Sequence, residues 1–186
     1  MKRLLLIPLL FICSLLFSAP PFFLKASAND STGYIVKVGD RCPDFKLTLA
    51  NGKTSSLKEL KGKVVMLQFT ASWCGVCRLE MPFIEKEIWQ VYKDKGLVLI
   101  GVDRDEPVEK LTKFSEDMKI TYPLALDPGA AIFALFAEKQ SGVTRNVVID
   151  PNGKIVFLSR LFYRADFDAM KEKIRTLLEE KAIEKK

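Results

Sequence analysis

The chain has 186 residues, 48% of them hydrophobic and 28% charged, with a formal charge of +6 and no histidine. That length fits one domain with an N-terminal extension, and the apolar content is ample for a core. The lack of histidine excludes Ser-His and Cys-His catalytic pairs and any histidine-containing zinc or copper site.

Lys2 and Arg3 precede an uncharged apolar run, Leu4 to Phe17, and Ala26-Ser27-Ala28 offers a small-x-small cleavage site. The pattern predicts a secretory signal peptide over 1–28. The alternative is a retained N-terminal membrane anchor, since the apolar stretch continues through Phe22-Phe23-Leu24. Pro20 and Pro21 break that stretch short of the ~20 apolar residues a spanning helix needs. Leu10-Phe11-Ile12-Cys13 resembles a lipoprotein box, although Ile12 is not the small residue such boxes carry. Cleavage removes Lys2, Arg3 and Lys25, so the formal charge falls from +6 to +3. The remaining basic residues alternate with acids or glycine, as in Lys58-Glu59-Leu60-Lys61-Gly62-Lys63, which reads as a solvated loop and not as a nucleic-acid footprint.

In residues 29–186 the elements follow from pattern. Lys46-Leu47-Thr48-Leu49 alternates as a strand, Asn51-Gly52 is a hairpin signal, and Thr54 to Leu57 completes the pair. Val64 to Phe69 is a continuous apolar run of the kind central parallel strands have. After Cys77, apolar residues at Leu79, Phe83, Ile84, Ile88, Val91 and Tyr92 follow a helical period, with a kink expected at Pro82 and an end at Lys95-Gly96. Leu97 to Val102 reads as a second buried strand. Glu106-Pro107 opens a helix to about Met118 with Val108, Leu111 and Phe114 on one side, Tyr122 to Leu126 is a short strand, and Gly129 to Ala137 is predicted as a small Ala-rich helix. Asn146 to Asp150, the turn Pro151-Asn152-Gly153 and Lys154 to Ser159 form an antiparallel hairpin. A last helix over about Ala165 to Lys181 turns Phe167, Met170, Ile174, Leu177 and Leu178 inward, ahead of a charged tail expected to fray. The order defines an α/β chain with a mixed central sheet.

The chemistry concentrates at Trp73-Cys74-Gly75-Val76-Cys77. Residues i and i+3 of a first helical turn share a face at about 5–6 Å, close to the Cα separation a disulfide needs. The helix N-terminus offers free N–H groups and partial positive charge, which favour a thiolate on Cys74, and Cys77 is placed to resolve a mixed disulfide. Loss of Cys13 with the leader leaves an odd thiol, Cys42, which reads either as a small packing residue or as an auxiliary thiol. In an oxidising compartment the pair needs an outside reductant to cycle.

Trp73-Cys74-Gly75-Val76-Cys77 with Pro82 resembles the thioredoxin superfamily. Glu80, the lead-in Gly39-Asp40-Arg41-Cys42-Pro43-Asp44-Phe45 and the helix insert are similar to its exported TlpA/ResA-type branch, over about residues 36–180. The resemblance implies a thioredoxin-like fold, a mixed central sheet flanked by helices with an N-terminal β-hairpin and a helix-containing insert. It also implies thiol–disulfide oxidoreductase activity of the reducing kind. Cys74 is then an exposed nucleophile, Cys77 a buried resolving thiol, and Trp73, Gly75, Val76, Val143 and Thr144 border the substrate surface. Glu80 handles protons, while Gln68 stands where many thioredoxins keep a buried Asp; on pattern alone Glu80 reads equally as a solvated helix carboxylate. The implied partners are protein disulfides and a membrane thiol-reductant donor, with no cofactor.

One position departs from the family. Thr144 in Gly142-Val143-Thr144-Arg145 occupies the place of the usual cis-proline, and a cis bond before a non-proline costs about 3–4 kcal/mol, which leaves the isomer here, and with it the substrate geometry the family would imply, open. Arg145 invites comparison with peroxiredoxins, but Leu67 and Ala71 stand where their Pro-x-x-x-Thr/Ser-x-x-Cys motif needs Pro and Thr/Ser, and Arg145 reads as a surface or loop anchor. A peroxidase, a thiolate-only metal carrier and an inert structural disulfide are the alternative functions.

Overall fold

The structure is a computed structural model that describes residues 33–183; the leader or anchor reading, with Cys13, lies outside the described residues. Its strands are β1 Lys46–Leu49, β2 Thr54–Ser56, β3 Val64–Thr70, β4 Leu97–Arg104, β5 Leu124–Asp127, β6 Arg145–Ile149 and β7 Ile155–Arg160. Its helices are α1 Gly75–Phe83, α2 Gln90–Tyr92, α3 Val108–Met118 and α4 Arg164–Ile183.

The strands form one sheet in the order β2-β1-β5-β4-β3-β6-β7. The central trio β3, β4 and β5 is parallel, joined by helical crossovers, while the hairpins β1–β2 and β6–β7 add antiparallel margins. β3 is buried at all of its positions because it is paired on both sides and covered on both faces. Its alternation divides the core. Val65, Leu67 and Phe69 face Phe45, Phe133 and Phe136, and Val64 and Met66 face Ile84 and Ile88, Phe114 of α3, and Phe167 and Met170 of α4. The fold is thioredoxin-like, with α3 and β5 inserted between β4 and β6.

Two readings need correction. The helix after the dithiol buries only half of the apolar face its periodicity suggested, Ile84, Ile88 and Tyr92. Leu79, Phe83 and Val91 are exposed, and the inward line is Cys77, Glu80, Met81, Ile84, Ile88 and Tyr92. Pro82 lacks an N–H, and after it Ile84–Trp89 turns as a π-helix before α2, so the face shifts along the rod. Gly96, at φ 95°, then closes the last turn Lys93–Lys95. The second correction concerns 129–137, which is not an α-helix but two short 3₁₀ turns, Pro128–Ala130 and Phe133–Leu135. Gly129 and Ala130 have positive φ, and the Asp127 carboxylate takes the N–H groups of Ile132 and Phe133 at 2.7 and 2.9 Å. A segment this short gains too little from helix propensity to override that anchoring.

Candidate active site

β3 carries the chain to the carboxyl edge of the sheet, and Ala71-Ser72-Trp73 turns it into α1 with Cys74 as the N-cap. Cys74 and Cys77 form a disulfide with Cα atoms 5.3 Å apart. Cys74 Sγ also accepts the Cys77 N–H at 3.2 Å, one of the first-turn donors that an α-helix leaves unpaired. Cys77 is fully buried, and Cys74, expected to be exposed, is only 8% so. Trp73 stands out at 63%, Gly75 is exposed and Val76 is half-buried, so these three border the pair on its open side. The turn is tied down from the loop after β4: Glu106 accepts the Ser72 N–H at 2.5 Å and the Ser72 hydroxyl at 2.7 Å. Burial works against the Glu106 charge, but these bonds and Lys110 outweigh it and hold the carboxyl below its usual range.

Val143 and Thr144 are not surface residues; both are buried. The bond before Thr144 is trans, as are all peptide bonds among the described residues. The Thr144 hydroxyl lies 3.1 Å from Cys74 Sγ and 3.2 Å from Cys77 Sγ. Of the two readings of Arg145, surface residue or loop anchor, burial excludes the first. It is buried, with its guanidinium 4.4 Å above the Tyr34 ring and a 2.9 Å bond to the Ser141 hydroxyl.

Glu80, one turn beyond Cys77, is 1% exposed, which excludes the solvated-carboxylate reading. Asn146 of β6 donates to its Oε1 at 2.7 Å and Gln68 of β3 to its Oε2 at 3.4 Å, while Tyr122 donates to Gln68 at 2.7 Å. Burial lifts the Glu80 carboxyl to about 7, and the two amides offset part of that rise. Asp103, at the end of β4, is likewise pushed up to about 7 by burial and then by the negative field of Glu106. Cys42 is a free buried thiol, raised to about 12 by burial and then by Asp44, as an inert packing residue would be.

Sequence reasoning missed Asn146, Tyr122, Ser72, Glu106 and Asp103. The available signal was polarity in the wrong place: a lone Gln within Val64–Phe69, and an Asn leading Val147-Val148-Ile149.

A dithiol/disulfide at a helix N-terminus, on a thioredoxin-like sheet, defines a thiol–disulfide oxidoreductase. Residues 38–158 match the AhpC/TSA family, and the chain belongs to that family of the thioredoxin superfamily. It is 34% identical to the thiol-disulfide oxidoreductase ResA of Bacillus cereus, over 65% of this chain and 68% of the relative. A solution structure from Bacteroides thetaiotaomicron, described as a candidate protein disulfide isomerase, matches at 56% identity and TM-score 0.78, over 80% of this chain and 94% of the other. A Chlorobium tepidum structure described as a candidate thiol:disulfide interchange protein DsbE matches at 31% identity and TM-score 0.68, over 77% and 99%.

Proposed function

We propose that this oxidoreductase works outside the cytoplasm and reduces disulfides in substrate proteins, in cytochrome c maturation or general disulfide reduction. The observation that carries the reading is the Cys74–Cys77 disulfide, seated at the helix N-terminus beside an exposed Trp73. Export is supported by the Lys2-Arg3 start, the apolar run and Ala26-Ser27-Ala28. The reducing direction is supported by the resemblance of Trp73-Cys74-Gly75-Val76-Cys77 and Glu80 to the TlpA/ResA-type branch, whose members mostly reduce. The described helices include none long and apolar enough to cross a membrane, so an anchored form would depend on the leader segment.

In the proposed cycle the Cys74 thiolate attacks a substrate disulfide, and one substrate sulfur leaves with the electron pair and takes a proton. Cys77 then loses its proton and attacks Cys74 Sγ. That releases the second substrate thiol and leaves the disulfide seen here. Glu80, one turn from Cys77 and poised at about 7, is suited to accept the Cys77 proton. An outside thiol donor at the membrane supplies the two electrons that restart the cycle.

The test is insulin-disulfide reduction driven by dithiothreitol. The parent is expected to turn over, C74S to be inactive, and C77S to stall as a mixed disulfide seen by mass. Failure of the parent to reduce insulin, with thiol-coupled peroxide consumption in its place, would move the assignment to a peroxidase.

A further inference from the structure

The Thr144 hydroxyl sits 3.1 and 3.2 Å from the two sulfurs. In the disulfide neither sulfur carries a hydrogen, so the hydroxyl is the donor, and it has one hydrogen to give. Reduction changes the demand. When the dithiol has lost one proton, the thiolate accepts the Thr144 hydrogen while a lone pair of the same oxygen accepts from the remaining S–H. A single hydroxyl therefore serves both sulfurs of the monoanion. The dianion leaves one thiolate without that donor, and the neutral dithiol gains only weak bonds.

The backbone holds the hydroxyl in place. Thr144 is 4% exposed, its carbonyl accepts the Leu161 N–H at 3.2 Å, and Arg145 beside it pairs with Phe69 in the sheet. Placement by two neighbouring strands limits the freedom that forming the bond would otherwise cost.

We infer that Thr144 is a catalytic residue whose hydroxyl stabilises the Cys74 thiolate in the reduced enzyme and passes its hydrogen bond to Cys77 once the mixed disulfide has formed. At that point Cys74 Sγ is bonded to a substrate sulfur and carries no charge. The charge arises next on Cys77 as its proton leaves, so the same donor supports the second nucleophile. Cys77 Sγ then bonds to Cys74 Sγ, the bond from Cys74 to substrate breaks, and the departing sulfur keeps the pair and takes a proton. The dithiol is oxidised by two electrons and the substrate disulfide is reduced by two. This rests on the redox cycle proposed above.

The experiment is ultraviolet thiolate absorbance of the reduced protein against pH. It needs no substrate, so it reads Thr144 independently of whether insulin is reduced. The charged groups on the elements around the pair are Arg78 and Glu80 on α1, Asp103 and Arg104 on β4, Glu106 after it, and Arg145 on β6; none is altered, so their fields are common to all variants. T144V keeps the volume and removes the donor, and its first thiolate midpoint is expected to rise by about one pH unit, the size of a lost hydrogen bond to a charged group. T144S, which restores the donor, is expected to return to the parent midpoint, a rescue that a purely space-filling role would not give. If T144V does not fold, T144A is read in its place and is expected to shift in the same direction. A midpoint unchanged in the donor-less variant, or T144S shifted as far as T144V, would overturn the assignment.

Discussion

Glu80 is buried where a carboxylate is expensive, and the folded protein lowers that cost with two amides in place of a cation. Its carboxyl moves from an ordinary 4.5 to about 7, so the folded state holds the proton more tightly than the unfolded chain across that window. Stability therefore falls as pH rises from about 4.5 to about 7, by roughly 3 kcal/mol from this group if the full shift is expressed. Denaturant unfolding across pH should find E80Q more stable than the parent above neutrality and close to it near pH 4.5, with a flatter profile between. Asp103 titrates in the same range, so some slope is expected to persist in E80Q and to diminish further when D103N is added. Asp103 is not visible as special in the sequence, and Glu80 is singled out only by the family resemblance, its burial being hidden from the pattern. Hydrophobic periodicity put Leu79 inside and left Glu80 open, because the partners that make burial tolerable, Gln68 and Asn146, lie 12 and 66 residues away on other strands.

At the scale of elements, the central strands were legible because complete burial leaves a run with no polar interruption except Gln68, itself part of the site. The hairpins were legible through their turns, with Gly52 and Gly153 both at positive φ. The 129–137 segment was not, since its conformation is set by the Asp127 carboxylate and by two positive-φ residues. Thr144 was flagged as a departure, yet its contact with both sulfurs depends on the trans backbone entering β6. The close packing of β4 against β5 gives a direct test of how the strands support the site. A Cβ at Gly101 would overlap Leu124 Cδ2 and come within 3.3 Å of Tyr122 Cε2, on the ring whose hydroxyl bonds Gln68. G101A is expected to cost about 1–3 kcal/mol in denaturant unfolding, as overpacked cores do, and to loosen the Glu80 network with it. Unchanged stability would mean that Leu124 and Tyr122 can yield without loss.

Across the whole molecule, the sheet brings β3, β4 and β6 to one edge and places the helix N-terminus, the Ser72–Glu106 tie, the Glu80 amides and the Thr144 hydroxyl around a single sulfur pair. Cys42 packs in the core as a free thiol outside that disulfide. The central claim is that Cys74 and Cys77 cycle, and equilibration of the protein against defined thiol buffers, with the oxidised fraction read by alkylation and mass, tests it most directly. A reversible two-electron transition with a potential above about −300 mV is expected, lost in C74S. A pair that stays oxidised below about −300 mV, in a protein that does not reduce insulin, would mark an inert structural disulfide and contradict the assignment.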